Sequence, residues 1–95
     1  MTEAQLQAAV IDLCKLRGLW WFHPYESRRS SSGWPDLVIL GRQALFAELK
    51  SEDGRRSMAQ LRCAGRLTAA GLAYRLWRPE DLKDGTITRE LEAIR

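Results

Sequence analysis

Cysteine and histidine, the residues that build most transition-metal sites, are scarce in this chain: two cysteines and one histidine among 95 residues. Cys14 and Cys63 form no CxxC pair and no Cys/His cluster, which argues against zinc, and both read as buried, reduced thiols. No apolar run approaches the ~18 residues of a membrane span, and the first residues lack the basic-then-apolar order of a signal peptide. The expectation is therefore a soluble, cytoplasmic protein with no membrane partner. Internal repeats and low-complexity tracts are missing as well. An excess of acid is also lacking: Lys and Arg outnumber Asp and Glu by 15 to 12, a net charge of +3, which leans towards a polyanionic partner without requiring one. Residues 1–95 read as a single domain. A chain of this size buries somewhat under ~70% of its unfolded surface, so a partner surface would add to a limited core.

What is present is an alternation of helical and strand patterns. Thr2-Glu3-Ala4-Gln5 fits a capping box that opens a helix with Leu6, Val10, Leu13 and Cys14 on one face and Gly18 as its stop. At 100° per residue Glu3 falls near the edge of that apolar stripe. It is either a first-turn acid complementing the helix dipole or a carboxylate turned towards a site. Leu19 to His23 reads as a strand ended by Pro24. His23, the lone histidine, could act as a general base, but at a strand end it reads rather as structural or surface. The polar loop from Glu26 to Gly33 contains Arg28, Arg29 and Ser31, residue types that contact nucleic-acid backbones.

Two apolar strands follow, Asp36–Leu40 and Ala44–Lys50, joined by Gly41-Arg42-Gln43. A three-residue hairpin loop pairs Leu40 with Ala44 and sets Asp36 opposite Glu48, with Cβ atoms roughly 4.5–5.5 Å apart. Lys50 falls on the same face by period-two alternation. Facing carboxylates repel unless a cation lies between them, so this register is a geometric argument for a cation. Arg55 and Arg56 lie in an exposed charged loop. Ser57-Met58-Ala59-Gln60 opens a second helix with Leu61, Ala64 and Leu67 on one face, and Gln60 could simply be its capping residue. Leu72–Trp77 reads as a strand parallel to Ala44–Lys50 through a right-handed crossover. Pro79 starts a short helical turn, and Thr88–Arg95 is a weak terminal helix with no role assigned.

Glu3 in the first helix, Gly33-x-Pro35-Asp36-Leu37, Glu48-Leu49-Lys50 and Gln60 at the start of the second helix together resemble the PD-(D/E)xK nuclease superfamily. More narrowly, the chain resembles its VRR-Nuc (virus-type replication-repair nuclease) family in a minimal stand-alone form. That resemblance implies an α/β, restriction-endonuclease-like core ordered α-β-β-β-α-β, with a mixed sheet flanked by helices. It also implies Mg²⁺-dependent hydrolysis of DNA phosphodiesters, with Mn²⁺ as a substitute and no organic cofactor. Asp36 and Glu48 would be metal ligands, joined by the Leu49 carbonyl and by Glu3 directly or through water. Asp36, Glu48, Lys50 and Gln60 would form the catalytic set, and Arg28, Arg29, Ser31, Arg55 and Arg56 the DNA contacts.

The reading that follows is a structure-selective endonuclease, a Holliday-junction resolvase working as a homodimer in a bacterial or phage-infected cell. A 95-residue domain with Trp20, Trp21, Trp34 and Trp77 to bury is consistent with dimerisation. The alternatives are a flap or nicking endonuclease acting alone or with a partner, and a catalytically silent DNA-binding module on the same fold.

Overall fold

A computed structural model describes residues 1–24 and 33–95. Its elements run α1 (Glu3–Leu16), β1 (Trp20–Phe22), β2 (Leu37–Leu40), β3 (Ala44–Leu49), α2 (Met58–Ala69), β4 (Ala73–Trp77), α3 (Pro79–Lys83) and α4 (Thr86–Ile94). The four strands lie in the order β1-β2-β3-β4, antiparallel except for the parallel β3–β4 pair that the α2 crossover requires. The expected α/β order and mixed sheet are present. No helix among the described residues is long and apolar enough to cross a membrane.

Both capping boxes form. The Thr2 hydroxyl accepts from the Gln5 N–H at 3.1 Å while the Gln5 amide oxygen accepts from the Thr2 N–H at 2.8 Å. Ser57 and Gln60 make the same reciprocal pair at 3.1 and 2.8 Å. The hairpin register is Leu40 with Ala44 through Leu37 with Ala47, so three loop residues separate the strands. That turn is pinned from outside the hairpin. The Arg42 N–H donates to the Ile94 carbonyl at 2.6 Å, and a Cβ on Gly41 would lie 2.0 Å from the same oxygen.

One sheet face, made by Leu37, Ile39, Leu45, Ala47 and Leu49, packs with Trp77 against Leu6, Val10 and Cys14 of α1 and Ile87, Leu91 and Ile94 of α4. The last of these corrects the sequence reading. The terminal helix begins at Thr86 rather than Thr88, and its Ile87, Leu91 and Ile94 are buried core. Short length and modest propensity make it weak in isolation, and tertiary packing is what stabilises it.

The opposite face carries Val38, Phe46, Glu48, Tyr74 and Leu76 by strand alternation and receives α2 through Ala64 and Leu67. Leu61, expected on that apolar face, is exposed instead, and Cys63 is half-buried rather than buried. Beyond the edge of α2 the face is open: Trp20 is 77% exposed and Phe22 60%, beside exposed Leu40.

Candidate active site

The hairpin brings its two carboxylates together at its open end. Asp36 lies one residue before β2, and extending the observed register sets it opposite Glu48. Its Oδ2 accepts the Leu49 N–H at 2.8 Å, so the carboxylate takes the place of a ladder carbonyl where the strand pairing stops. His23 approaches from the other side, with Nδ1 2.9 Å from the Asp36 carbonyl oxygen. The N–H and C=O of an extended residue point to one edge of its strand. The Leu49 carbonyl therefore shares the edge that faces Asp36.

Glu48 is 1% exposed and is the one buried charged side chain among the described residues. The Gln60 Nε2 donates to its Oε2 at 2.8 Å, and the Lys50 Nζ lies 4.0 Å from the same oxygen. Gln60 thus performs both roles that its sequence position offered. Its amide oxygen caps α2 through the Ser57 N–H, which turns the NH₂ group towards Glu48. The helix start is brought this close by Gly33. At φ +86° it occupies the left-handed region, and a Cβ there would lie 2.3 Å from the Ala59 carbonyl oxygen and 2.7 Å from the Gln60 nitrogen. Gly33→Ala is expected to destabilise the fold by more than about 2 kcal/mol, through backbone strain and overpacking together. This corresponds to a loss of roughly 10 °C in Tm for a chain of this size. Thermal denaturation followed by circular dichroism measures it, and an unchanged Tm would show that the segment does not abut α2.

The electrostatics of the pair follow from burial. The Glu48 carboxyl is pushed up from 4.5 to about 8, first by desolvation, then by the adjacent Asp36 carboxylate, with Lys50 opposing and Glu3 adding a smaller repulsion. In the absence of a cation the two carboxylates therefore cannot both ionise readily near neutral pH.

Of the residues expected at the site, Asp36, Glu48, Lys50 and Gln60 converge. Glu3 is exposed in the first turn of α1, near enough for its charge to be felt at Glu48. Among the described residues no three His, Cys, Asp or Glu side chains group closely enough to hold a metal by themselves, so Glu3 does not complete a carboxylate triad. Two carboxylates and a carbonyl nonetheless fit Mg²⁺, an oxygen-seeking cation that keeps several waters and takes one or two carboxylates.

Arg55 is exposed and Arg56 half-buried near the Tyr74 hydroxyl, on the segment that follows β3. Arg28, Arg29 and Ser31 lie outside the described residues. One contributor, Arg78, is additional to the sequence reading, and a second, His23, takes the structural role read for it. Arg78 Nη1 donates to the Ser51 carbonyl at 2.8 Å and the Gly54 carbonyl at 2.7 Å, holding the turn that leads to Arg55. His23 braces the Asp36 backbone. Neither contact follows any short-range sequence rule, since Arg78 reaches back 27 residues to Ser51 and His23 forward 13.

Neither a family model nor a curated protein matches the sequence. Solved structures do. A "VRR_NUC domain protein" superposes with a TM-score of 0.74 at 20% identity, covering 97% of this chain and 89% of that one. A "VRR_NUC domain" gives 0.71 at 20% identity, covering 90% of this chain and 96% of the other. At such identity the likeness is one of architecture, and it extends over nearly the whole length of both proteins. From α1 to α4, this chain has the VRR-Nuc fold.

Proposed function

We propose that this chain is a VRR-Nuc family nuclease, a divalent-metal-dependent endonuclease that hydrolyses phosphodiester bonds in branched DNA. The observation that carries the reading is the buried Glu48 carboxylate set against Asp36, with an ammonium and an amide donor on the same oxygen. A purely structural or DNA-binding role gives no reason to retain two facing carboxylates at that cost. Asp36 and Glu48, with the Leu49 carbonyl, would hold Mg²⁺ or Mn²⁺, and Glu3 would contribute through water. When bound, the cation supplies polarisation of the phosphoryl oxygens and activation of a water molecule. Lys50 Nζ orients the attacking water and offsets charge developing on the phosphoryl group. Gln60 fixes the Glu48 carboxylate, since its own amide is fixed by the α2 cap. Arg55 and Arg56, with Arg28, Arg29 and Ser31, contact backbone phosphates, which makes binding salt-dependent and weakly sequence-specific.

Two such sites on a homodimer would cut paired strands of a Holliday junction. The exposed Trp20 and Phe22 of the edge strand β1, with Leu40 of β2 beside them, support this, because they form an apolar face at the sheet edge that a second copy would cover. The test is incubation of purified protein with junction, flap, nicked and linear duplex DNA, in Mg²⁺ or EDTA. Symmetric Mg²⁺-dependent cuts near the branch point are expected, from a particle of twice the 10.9 kDa chain mass by light scattering. Cleavage confined to flaps or nicks by a monomer would favour the flap or nicking enzyme. Binding without cleavage in Mg²⁺ or Mn²⁺ would leave the silent DNA-binding module.

A further inference from the structure

A cleft of about 390 Å³ opens between Trp34 and α2, with Leu67 at its base and Arg62, Cys63 and Arg66 along its wall. It belongs to none of the roles above. Its volume falls in the range of small-ligand sites, ~300–1,000 Å³. The Trp34 ring is held edge-to-face against Phe46, with centroids 5.8 Å apart and planes at 88°. Arg62 and Arg66 are one helical turn apart and therefore share a face, and among the described residues no carboxylate lines the cleft. The cleft lies beside the candidate active site, since its Ala59 immediately precedes Gln60 in α2. Trp34 precedes Asp36 by two residues, Cys63 follows Gln60 by one helical turn, and the Glu48 charge contributes to raising the Cys63 thiol.

We infer that the cleft between Trp34 and α2 holds one unpaired nucleotide of the DNA strand beside the scissile phosphate, its base on Trp34 and its phosphate on Arg62 and Arg66. An aromatic face with two guanidinium groups is the chemistry that binds single-stranded nucleic acid, by stacking and by charge. A paired base has no free face to offer, so the occupant must be out of the duplex stack. The inference rests on the nuclease reading for its setting and names the substrate feature that reading leaves open. It selects DNA that is unpaired next to the cut.

The test uses the whole chain in EDTA, so that binding is read without cleavage, with fluorescein-labelled tetrathymidylate as the probe and anisotropy as the readout. Arg62 and Arg66 are exposed, so the double variant Arg62→Glu/Arg66→Glu leaves the core intact. It is expected to weaken probe binding at least about tenfold, as is replacing the probe's inner bases by abasic units. Saturating probe should slow alkylation of Cys63 by N-ethylmaleimide about fivefold or more, read by mass spectrometry against buried Cys14. Unchanged affinity in the double variant, equal binding of the abasic probe, or unprotected Cys63 would each overturn the assignment. Thymidine monophosphate binding as tightly as the probe would overturn the strand assignment in favour of a free nucleotide. A chain that binds the probe in the cleft yet cuts no DNA would keep this inference and remove the nuclease reading. A chain that cuts DNA with no probe binding would do the reverse.

Discussion

Asp36→Asn is expected to lower Mg²⁺-dependent DNA cleavage at least about a thousandfold, ~4 kcal/mol of transition-state stabilisation, in a protein that remains folded. Asparagine is the informative replacement because Asp36 has two separable roles. Its Oδ2 accepts the Leu49 N–H, and an amide oxygen can do the same. Its charge faces Glu48, and an amide cannot supply that. Asp36→Ala removes both, leaving the Leu49 N–H without its partner at a cost of about 1–3 kcal/mol. Activity should therefore fall alike in the two variants, whereas the melting temperature should fall mainly in the alanine one. Single-turnover cleavage at saturating protein, with circular dichroism melts, separates them. Asparagine activity within about tenfold of the parent would reduce Asp36 to a strand-end bracket and remove the metal from the mechanism.

The parts of this molecule that could be read from sequence are those governed by local rules. Ser57 and Gln60 announce a capping box, and three residues between Leu40 and Ala44 set a register that carries Asp36 to Glu48. Both hold because turn and cap geometry depend on few neighbours. What escaped depends on what packs against what. Cys63 looks like a core residue from its helical neighbours but faces a cleft, because α2 covers only part of the sheet. The exposure of Trp20 and Phe22 is opposite to what aromatic strand residues ordinarily show, and only the uncovered face explains it. α4 erred in the other direction: a polar-looking tail whose Ile87, Leu91 and Ile94 complete the core. At the site, Gln60 shows why a choice between cap and function was ill-posed. One amide has two ends, and the cap on the oxygen is what aims the nitrogen.

The second large effect concerns Glu48 and the stability of the metal-free protein. In the folded chain its carboxyl is raised to about 8, by burial first and then by Asp36; unfolded, it returns towards 4.5. Between those values the folded state binds the proton that the unfolded chain has released. Stability is therefore fully present below about pH 4.5 and is lost as pH rises through 8, with a slope of up to ~1.4 kcal/mol per pH unit inside the window. Over the whole window the loss should be at most about 5 kcal/mol. In Glu48→Gln the charge never forms, so the variant should lose this slope and melt above the parent at pH 8.5 in EDTA. The new amide keeps an oxygen that accepts from the Gln60 Nε2 and can turn its NH₂ towards the Asp36 carboxylate, so the Ser57 cap survives the substitution and does not offset that gain. Added Mg²⁺ should stabilise the parent at pH 8.5 and much less at pH 5, where protons occupy the site instead, and should leave Glu48→Gln nearly unmoved. Melting curves from pH 5 to 9, with and without Mg²⁺, test all three expectations. If parent and variant run parallel across that range, Glu48 is not the group held protonated by its surroundings. The conflict between Asp36 and Glu48 would then be resolved without a cation.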